Sequence, residues 1–170
     1  TEAPALSGHA VKQAAKKAGI EGSEIDDVII GCAAQQGTQS YNLGRLTATA
    51  AGLPNSVPGM TLDRQCASGL MSIGFAAQSI MTGSMNIVAA GGVESISMVQ
   101  NKHKNTYRNV SKLVLSKSQY AYMQMIETAE VVSKRYNISR SVQDEYSLQS
   151  QQRIANAQEN GFFNDEIVPL

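Results

Sequence analysis

Residues Gln65 to Val93, QCASGLMSIGFAAQSIMTGSMNIVAAGGV, contain no Asp, Glu, Lys or Arg, although charges are scattered through the rest of the chain. Charged side chains are rarely fully buried, so a run without any belongs inside a protein. Its first part, from about Ala67 to Thr82, reads as a helix whose Leu70, Ile73, Gly74, Phe75, Ala76, Ala77, Ile80 and Met81 leave no polar face. Such a helix is expected to be buried on every side. Gly83-Ser84-Met85-Asn86 turns the chain, and Ile87-Val88-Ala89-Ala90 reads as a buried strand closing on Gly91-Gly92. The run is long enough for a membrane span. Ser68, Ser72, Gln78, Ser79, Thr82 and the turn interrupt it, so helix, turn and strand is the better parse.

Upstream, Ser7 can cap a helix with Val11, Ala14, Ala15 and Ala18 at helical spacing. Lys16 and Lys17 favour its last turn, and Gly19 can stop it. Val28-Ile29-Ile30 is short and β-branched and reads as a buried strand ending at Gly31, with Cys32 continuing it as a small buried apolar residue. Gln35 to Tyr41 is a polar loop. Asn42 to Gly52 is helical in pattern, Leu53-Pro54-Asn55 turns, and Val57 to Leu62 is extended. Helices and strands therefore alternate, which argues an α/β layered fold with a mainly parallel sheet and a buried central helix. A helix buried that deeply implies more layers than this chain supplies, and so further sequence or an oligomer.

Downstream of about Ile96 the character changes. Asn101 to Arg108 is polar and basic and reads as an exposed excursion. Tyr120 to Tyr136 and Ser141 to Asn160 read as helices, the second stopped by Gly161, and Glu166 to Leu170 as the start of an extended element.

A chain of 170 residues can bury one sizeable core. Fourteen basic and fourteen acidic side chains balance, so nothing points to nucleic acid, an anionic membrane or an acidic partner. Cys32 and Cys66 have no metal-ligand spacing and are too few for a disulfide framework, which favours free thiols in a reducing compartment. Thr1 to Ala18 is amphipathic and carries lysines, unlike a secretory signal.

Cys66 stands where an extended segment gives way to a helix. A sulfur there faces exposed backbone N–H groups and the positive end of the helix dipole, both of which favour a thiolate. The same N–H groups can hold an oxyanion developing on an acyl group carried by that sulfur. Ala67, Ser68 and Gly69 leave room for a substrate. Spacing alone leaves two readings open, a nucleophile or a structural cysteine. A nucleophile needs a base, and the two histidines, His9 and His103, are both far from Cys66 in sequence.

Asp63-Arg64-Gln65-Cys66-Ala67-Ser68-Gly69-Leu70, followed by Ala89-Ala90-Gly91-Gly92-Val93-Glu94-Ser95-Ile96-Ser97, resembles the nucleophile region and following strand of the thiolases, the acyl-CoA acetyltransferases. Thr128-Ala129-Glu130, Ser139-Arg140, Gln143-Asp144-Glu145, Gly161-Phe162 and Glu166-Ile167-Val168-Pro169 continue the likeness in order. The resemblance implies ping-pong acyl transfer. Cys66 takes an acyl group from an acyl-CoA or 3-ketoacyl-CoA, and CoA or a second thioester receives it, by thiolysis or by carbon–carbon bond formation. Acyl-CoA and CoA are then substrates, and no covalently bound cofactor or metal is implied. The resemblance also implies that the backbone N–H of Cys66 serves an oxyanion hole. Met125 then lies near the bound thioester and pantetheine, although an inward-packing helix residue would look the same. It further implies a homodimer or homotetramer, with Asn42 and Arg45 near the subunit contact unless they are ordinary polar helix residues. The location that the resemblance implies is cytoplasmic, or the mitochondrial matrix in a eukaryote.

There are departures from the family pattern. Asp63 stands where the family usually has Asn, and Ile126 where glycine is common. The family's His-Pro block, late Cys-containing glycine-rich block, Asn-Ala-Phe-Gly-like loop and opening Arg-Thr-Pro strand do not occur in these residues. The resemblance therefore implies residues 1–96 as an N-terminal half-domain lacking its first strand, and 97–170 as the beginning of the CoA-binding loop region. The isolated chain is expected to be inactive. Two other functions fit less well: a related condensing enzyme such as a ketoacyl synthase, and a non-catalytic module of thiolase descent.

Overall fold

Strand β1, Asp27–Gly31, is buried at every position. A computed structural model describes residues 1–170, and in it β1 is the central strand of a three-stranded parallel sheet. Strand β2, Gly59–Leu62, pairs along one edge and β3, Val88–Gly92, along the other, so Gly31 lies opposite Leu62 and Gly92. Parallel neighbours need crossovers, and helices supply them. Helix α2, Leu43–Ala50, joins β1 to β2, and α3, Ser68–Met81, joins β2 to β3.

Side chains alternate across a strand, and β1 uses both faces. Val28, Ile30 and the following Cys32 share one core with Ala3, Val11, Leu43 and Ala48, which come from α2 and from α1, Ala3–Ala18. The other face belongs to α3. Gly31 points there and meets the α3 backbone at Ser68 and Gly69. Each buried aliphatic side chain of this sandwich contributes roughly 1.5–3 kcal/mol.

Local signals explain most ends. Gly19 stops α1 in the left-handed region at φ 69°, with Lys16 and Lys17 in the last turn as expected. Asn42 caps α2 by accepting from the Arg45 N–H. Ser7 is not a cap: α1 starts four residues earlier because Pro4 sits in its first turn, where a missing N–H costs nothing. The Ser7 hydroxyl instead lies 2.6 Å from the Thr47 hydroxyl and joins α1 to α2 inside the core.

Helix α3 departs from the expectation of burial on every side. Ser68, Ser72 and Ala76 form its one buried stripe, while Leu70, Ile73 and Met81 are at least half exposed. Three strands can cover only one side of a helix, and nothing in these residues covers the other. No helix is long and apolar enough to cross a membrane.

The chain divides into two compact units, Thr1–Asn105 with Val168–Leu170, and Thr106–Ile167. The first also carries a short helix α4, Ile96–Val99, and the Asn101–Asn105 turn is exposed as its polarity suggests. The second is helical: α5, Lys112–Lys117; α6, Met125–Arg135; and α7, Arg140–Glu159. Helix α6 begins five residues later than the apolar pattern suggests, because Gln124 and Glu127 form a capping box there. Ser139 caps α7 by accepting from the Val142 N–H, so the helix begins one residue before Ser141. Residues 161–166 are turns and 167–170 form no strand, so the extended element expected at Glu166 is not made.

Candidate active site

The three strands end together, and in open parallel sheets ligands bind beyond the carboxyl ends of the strands. There β2 passes into α3 through a turn of five residues, Asp63 to Ala67. Gln65 takes φ 52°, a left-handed conformation that costs a side-chain-bearing residue roughly 1–2 kcal/mol. Side chains offset that cost. The Asp63 Oδ1 accepts the Gln65 N–H at 2.7 Å. The Ser68 Oγ accepts the Arg64 N–H at 2.8 Å and donates to the Gln65 carbonyl at 2.6 Å. Asparagine has the same acceptor oxygen as Asp63, so this departure from the family pattern leaves the turn's hydrogen bond intact. The turn holds Cys66 exposed, immediately before the Ala67 N-cap. The N–H groups of Ala67 and Ser68 close back on the Arg64 and Gln65 carbonyls, and Cys66 is bridged to Arg64 within the same turn.

Cys66 opens onto a cleft of about 690 Å³ whose other walls include Ala33, Ala34, Gly69, Glu94 and Lys104. The Glu94 carboxylate is saturated. It accepts the N–H groups of Ala33 at 2.9 Å and Ala34 at 3.2 Å, the Gln39 amide at 2.5 Å and the Cys32 thiol at 3.4 Å. Gln39 is fully buried and its own oxygen accepts the Ser95 N–H. Glu94 and Gln39 therefore tie the segment after β1 to the end of β3 and fix one cleft wall.

The two cysteines have opposite environments. Cys32 is 1 % exposed, and burial, followed by the Glu94 charge, pushes its thiol up to about 12 from an ordinary value near 9. The folded chain thus favours the neutral thiol. The associated stabilisation is complete below pH 9 and is lost as pH rises from there through about 12. At pH 9, iodoacetamide is expected to modify Cys66 and spare Cys32 until denaturant is added, which peptide mass mapping will resolve. Equal labelling of both in the folded chain would contradict this.

The other candidates are placed as follows. Met125 is the first residue of α6 and is 74 % exposed, so it does not pack inward within its own unit. Beside it, Ile126 is also exposed. Asn42 and Arg45 have intrachain work: the Asn42 amide donates to the Gly59 carbonyl at 2.6 Å, and the Arg45 guanidinium to the Val57 carbonyl at 2.7 Å. His9 lies in α1 with its Nε2 buried and unpartnered, and His103 lies in the exposed turn; neither lines the cleft. Sequence reasoning assigned no role to Glu94, Gln39 or Gln65. Glu94 had a signal, as the first charge after the long uncharged run. Gln39 and Gln65 had none, since one sits in a polar loop and the other owes its importance to a dihedral angle.

The family described as "Thiolase, N-terminal domain" matches residues 1–170. A 3-ketoacyl-CoA thiolase of Bacillus subtilis (strain 168) is 42% identical over 165 residues, covering 97% of this chain and 42% of that protein. A beta-ketoadipyl-CoA thiolase of Pseudomonas putida is also 42% identical over 165 residues, covering 89% of this chain and 41% of that protein. The crystal structure of the Bacillus anthracis acetyl-CoA acetyltransferase superposes with a TM-score of 0.83 at 34% identity, over 99% of this chain and 45% of that one. The chain thus spans about two fifths of the length of the curated relatives it matches.

Proposed function

Because this chain belongs to the thiolase family, we propose that it is the nucleophile-bearing part of an acyl-CoA C-acyltransferase, with Cys66 as the acyl-accepting sulfur. The observation that carries this reading is the strained, side-chain-braced turn that holds Cys66 exposed on a cleft at the strand ends. Strain of this kind persists where the surroundings hold it, and it clusters at working sites.

In the first half-reaction the Cys66 thiolate attacks the carbonyl carbon of an acyl-CoA or 3-ketoacyl-CoA. The new S–C bond forms as the C–S or C–C bond breaks, and CoA or acetyl-CoA leaves with the proton lost by the thiol. The Cys66 N–H, at the head of α3, serves the oxyanion. In the second half-reaction CoA or a second thioester takes the acyl group. Residues 1–96 act as the catalytic half-domain and 97–170 as the start of the CoA-binding loop region, where the exposed Met125 thioether contacts the thioester and pantetheine. Neither His9 nor His103 lines the cleft; the base and second cysteine come from the remainder of a full-length thiolase. The whole protein works as a homodimer or homotetramer in the cytoplasm, or in the mitochondrial matrix of a eukaryote.

Acetyl-CoA is expected to leave one acetyl group on the Cys66 peptide. The 170-residue chain alone is expected to turn over acetoacetyl-CoA and CoA negligibly. Absence of the adduct from a chain whose Cys66 still reacts with iodoacetamide would sink the nucleophile reading. Robust turnover dependent on Cys66 would sink the claim that the base lies outside these residues.

A further inference from the structure

Besides Cys66, two side chains lining its cleft can carry an acyl group, Ser68 and Lys104. Ser68 is 4 % exposed, and its hydroxyl already donates to the Gln65 carbonyl at 2.6 Å. Lys104 is exposed, and its side chain makes no hydrogen bond or ion pair. The turn that carries it is held by its backbone. The Lys104 N–H donates to the Asn101 carbonyl at 3.0 Å, the Asn101 amide to the Ser97 carbonyl at 2.9 Å, and the Asn105 N–H to Gln36 Oε1 at 2.8 Å. Gln36 itself lines the cleft, so the turn is tied to the cleft wall. The sulfur that would carry an acyl group and an unengaged primary amine therefore share one space. No histidine lines that space, so nothing in it activates water or a thiol to take the acyl group instead.

An acylated Cys66 is a thioester. Its carbonyl lacks the resonance that protects an amide, so passage of the acyl group to an amine runs downhill and does not reverse. One amine sharing about 690 Å³ with that carbonyl has an effective concentration on the order of 2 M. We infer that Lys104 is a self-acylation site: the acyl group first accepted by Cys66 passes to the Lys104 amine and stays there as an amide. The inference rests on Cys66 being the acyl-accepting sulfur and adds a second, permanent destination for the acyl group. In the transfer the neutral Lys104 Nζ attacks the thioester carbonyl carbon. The N–C bond forms, the C–Sγ bond breaks, and the proton shed by nitrogen goes to the departing sulfur. No co-reactant is needed. Only the neutral amine attacks, and the charges around it set when it does. Glu94, the anionic group in the same lining, attracts the ammonium, so the transfer belongs to the alkaline side of neutrality. Asp63 and Arg64 beside Cys66 offset each other in sign, and Lys102 and His103 precede Lys104 in its own turn.

The test treats the 170-residue chain with the acetyl thioester of N-acetylcysteamine at mildly alkaline pH. Peptides are mapped by mass spectrometry with and without neutral hydroxylamine, which strips thioesters and leaves amides. Acetyl is expected first on Cys66 and then, resistant to hydroxylamine, on Lys104. Lys104 is expected to gain it at least about tenfold faster than the exposed Lys102 and Lys112. In C66A that excess is expected to vanish, leaving Lys104 within about twofold of those lysines. In K104R the Cys66 adduct is expected to last about threefold longer or more, because its outlet is gone. Because the Lys104 side chain is exposed, K104R is expected to melt with the parent chain. An undiminished Lys104 excess in C66A would overturn the inference, since the amine would then take acetyl directly from the reagent. So would a Cys66 adduct that forms, never migrates, and lasts equally long in K104R and the parent; that outcome leaves the nucleophile reading standing. Failure of any adduct to form on a Cys66 that iodoacetamide still alkylates would sink the nucleophile reading, and this inference with it.

Discussion

Gly31→Ala is expected to destabilise the chain by about 3 kcal/mol or more and to dislodge Cys66, although the substitution adds one methyl group far from it in sequence. A Cβ at Gly31 would lie 2.2 Å from the Ser68 carbonyl carbon, 2.3 Å from the Ser68 oxygen and 2.5 Å from the Gly69 nitrogen. Overpacking usually costs roughly 1–3 kcal/mol when side chains can yield. Here both partners are backbone, one in the central strand and the other in the first turn of α3, so the helix must move as a body. The turn that presents Cys66 moves with it, because Ser68 supplies two of the hydrogen bonds that hold Gln65. Gly91→Ala is the control: it lies in the adjacent strand, and an added Cβ there meets nothing within 4 Å. It is expected to change the unfolding free energy by less than about 1 kcal/mol. Urea titration followed by circular dichroism, together with the rate of iodoacetamide attack on Cys66, will check both. Equal stabilities for the two variants would refute the close-approach argument.

Cys66→Ala is expected to abolish the acyl adduct while leaving stability within about 0.5 kcal/mol of the parent, as is usual for an exposed position. Cys32→Ala is expected to do the reverse. Its side chain is buried in the core cluster that also holds Val28, Ile30 and Leu43, and its sulfur contacts both Glu94 and Gln39. Removing it costs about 1–2 kcal/mol of packing and hydrogen bonding and leaves the adduct on Cys66. Intact mass after acetyl-CoA treatment, paired with denaturant titration, separates the two effects. An adduct that survives Cys66→Ala and disappears with Cys32→Ala would reverse the assignment of the two cysteines.

Much of this was legible in the chain because it depends on local pattern. Three β-branched residues at Val28 to Ile30 mark a buried strand whatever surrounds it, since a parallel strand is covered on both faces. Gly19 and Gly161 marked helix ends through their freedom at positive φ. The α3 helix was located correctly, but its burial was not. An apolar surface states that it needs cover and says nothing about whether the cover lies within the same 170 residues. The start of α6 was misplaced for a related reason: Tyr120 and Tyr122 extend the apolar pattern, but the reciprocal bonds of Gln124 and Glu127 decide where the first turn forms.

By itself the sequence determined the alternation of helix and strand, the parallel sheet, the uncharged central run, and a cysteine at the point where a strand becomes a helix. Those features follow from periodicity, turn chemistry and charge, which act over a few residues. Only the tertiary structure decided that Gly31 would bear directly on the first turn of α3. It alone showed that Gln65 would be held at positive φ by Asp63 and Ser68, that Glu94 would be saturated by the segment after β1, and that Lys104 would share a cleft with Cys66. Each of these depends on which strand ends come together. That is a matter of chain crossing and packing, which hydrophobic periodicity constrains without specifying the partner.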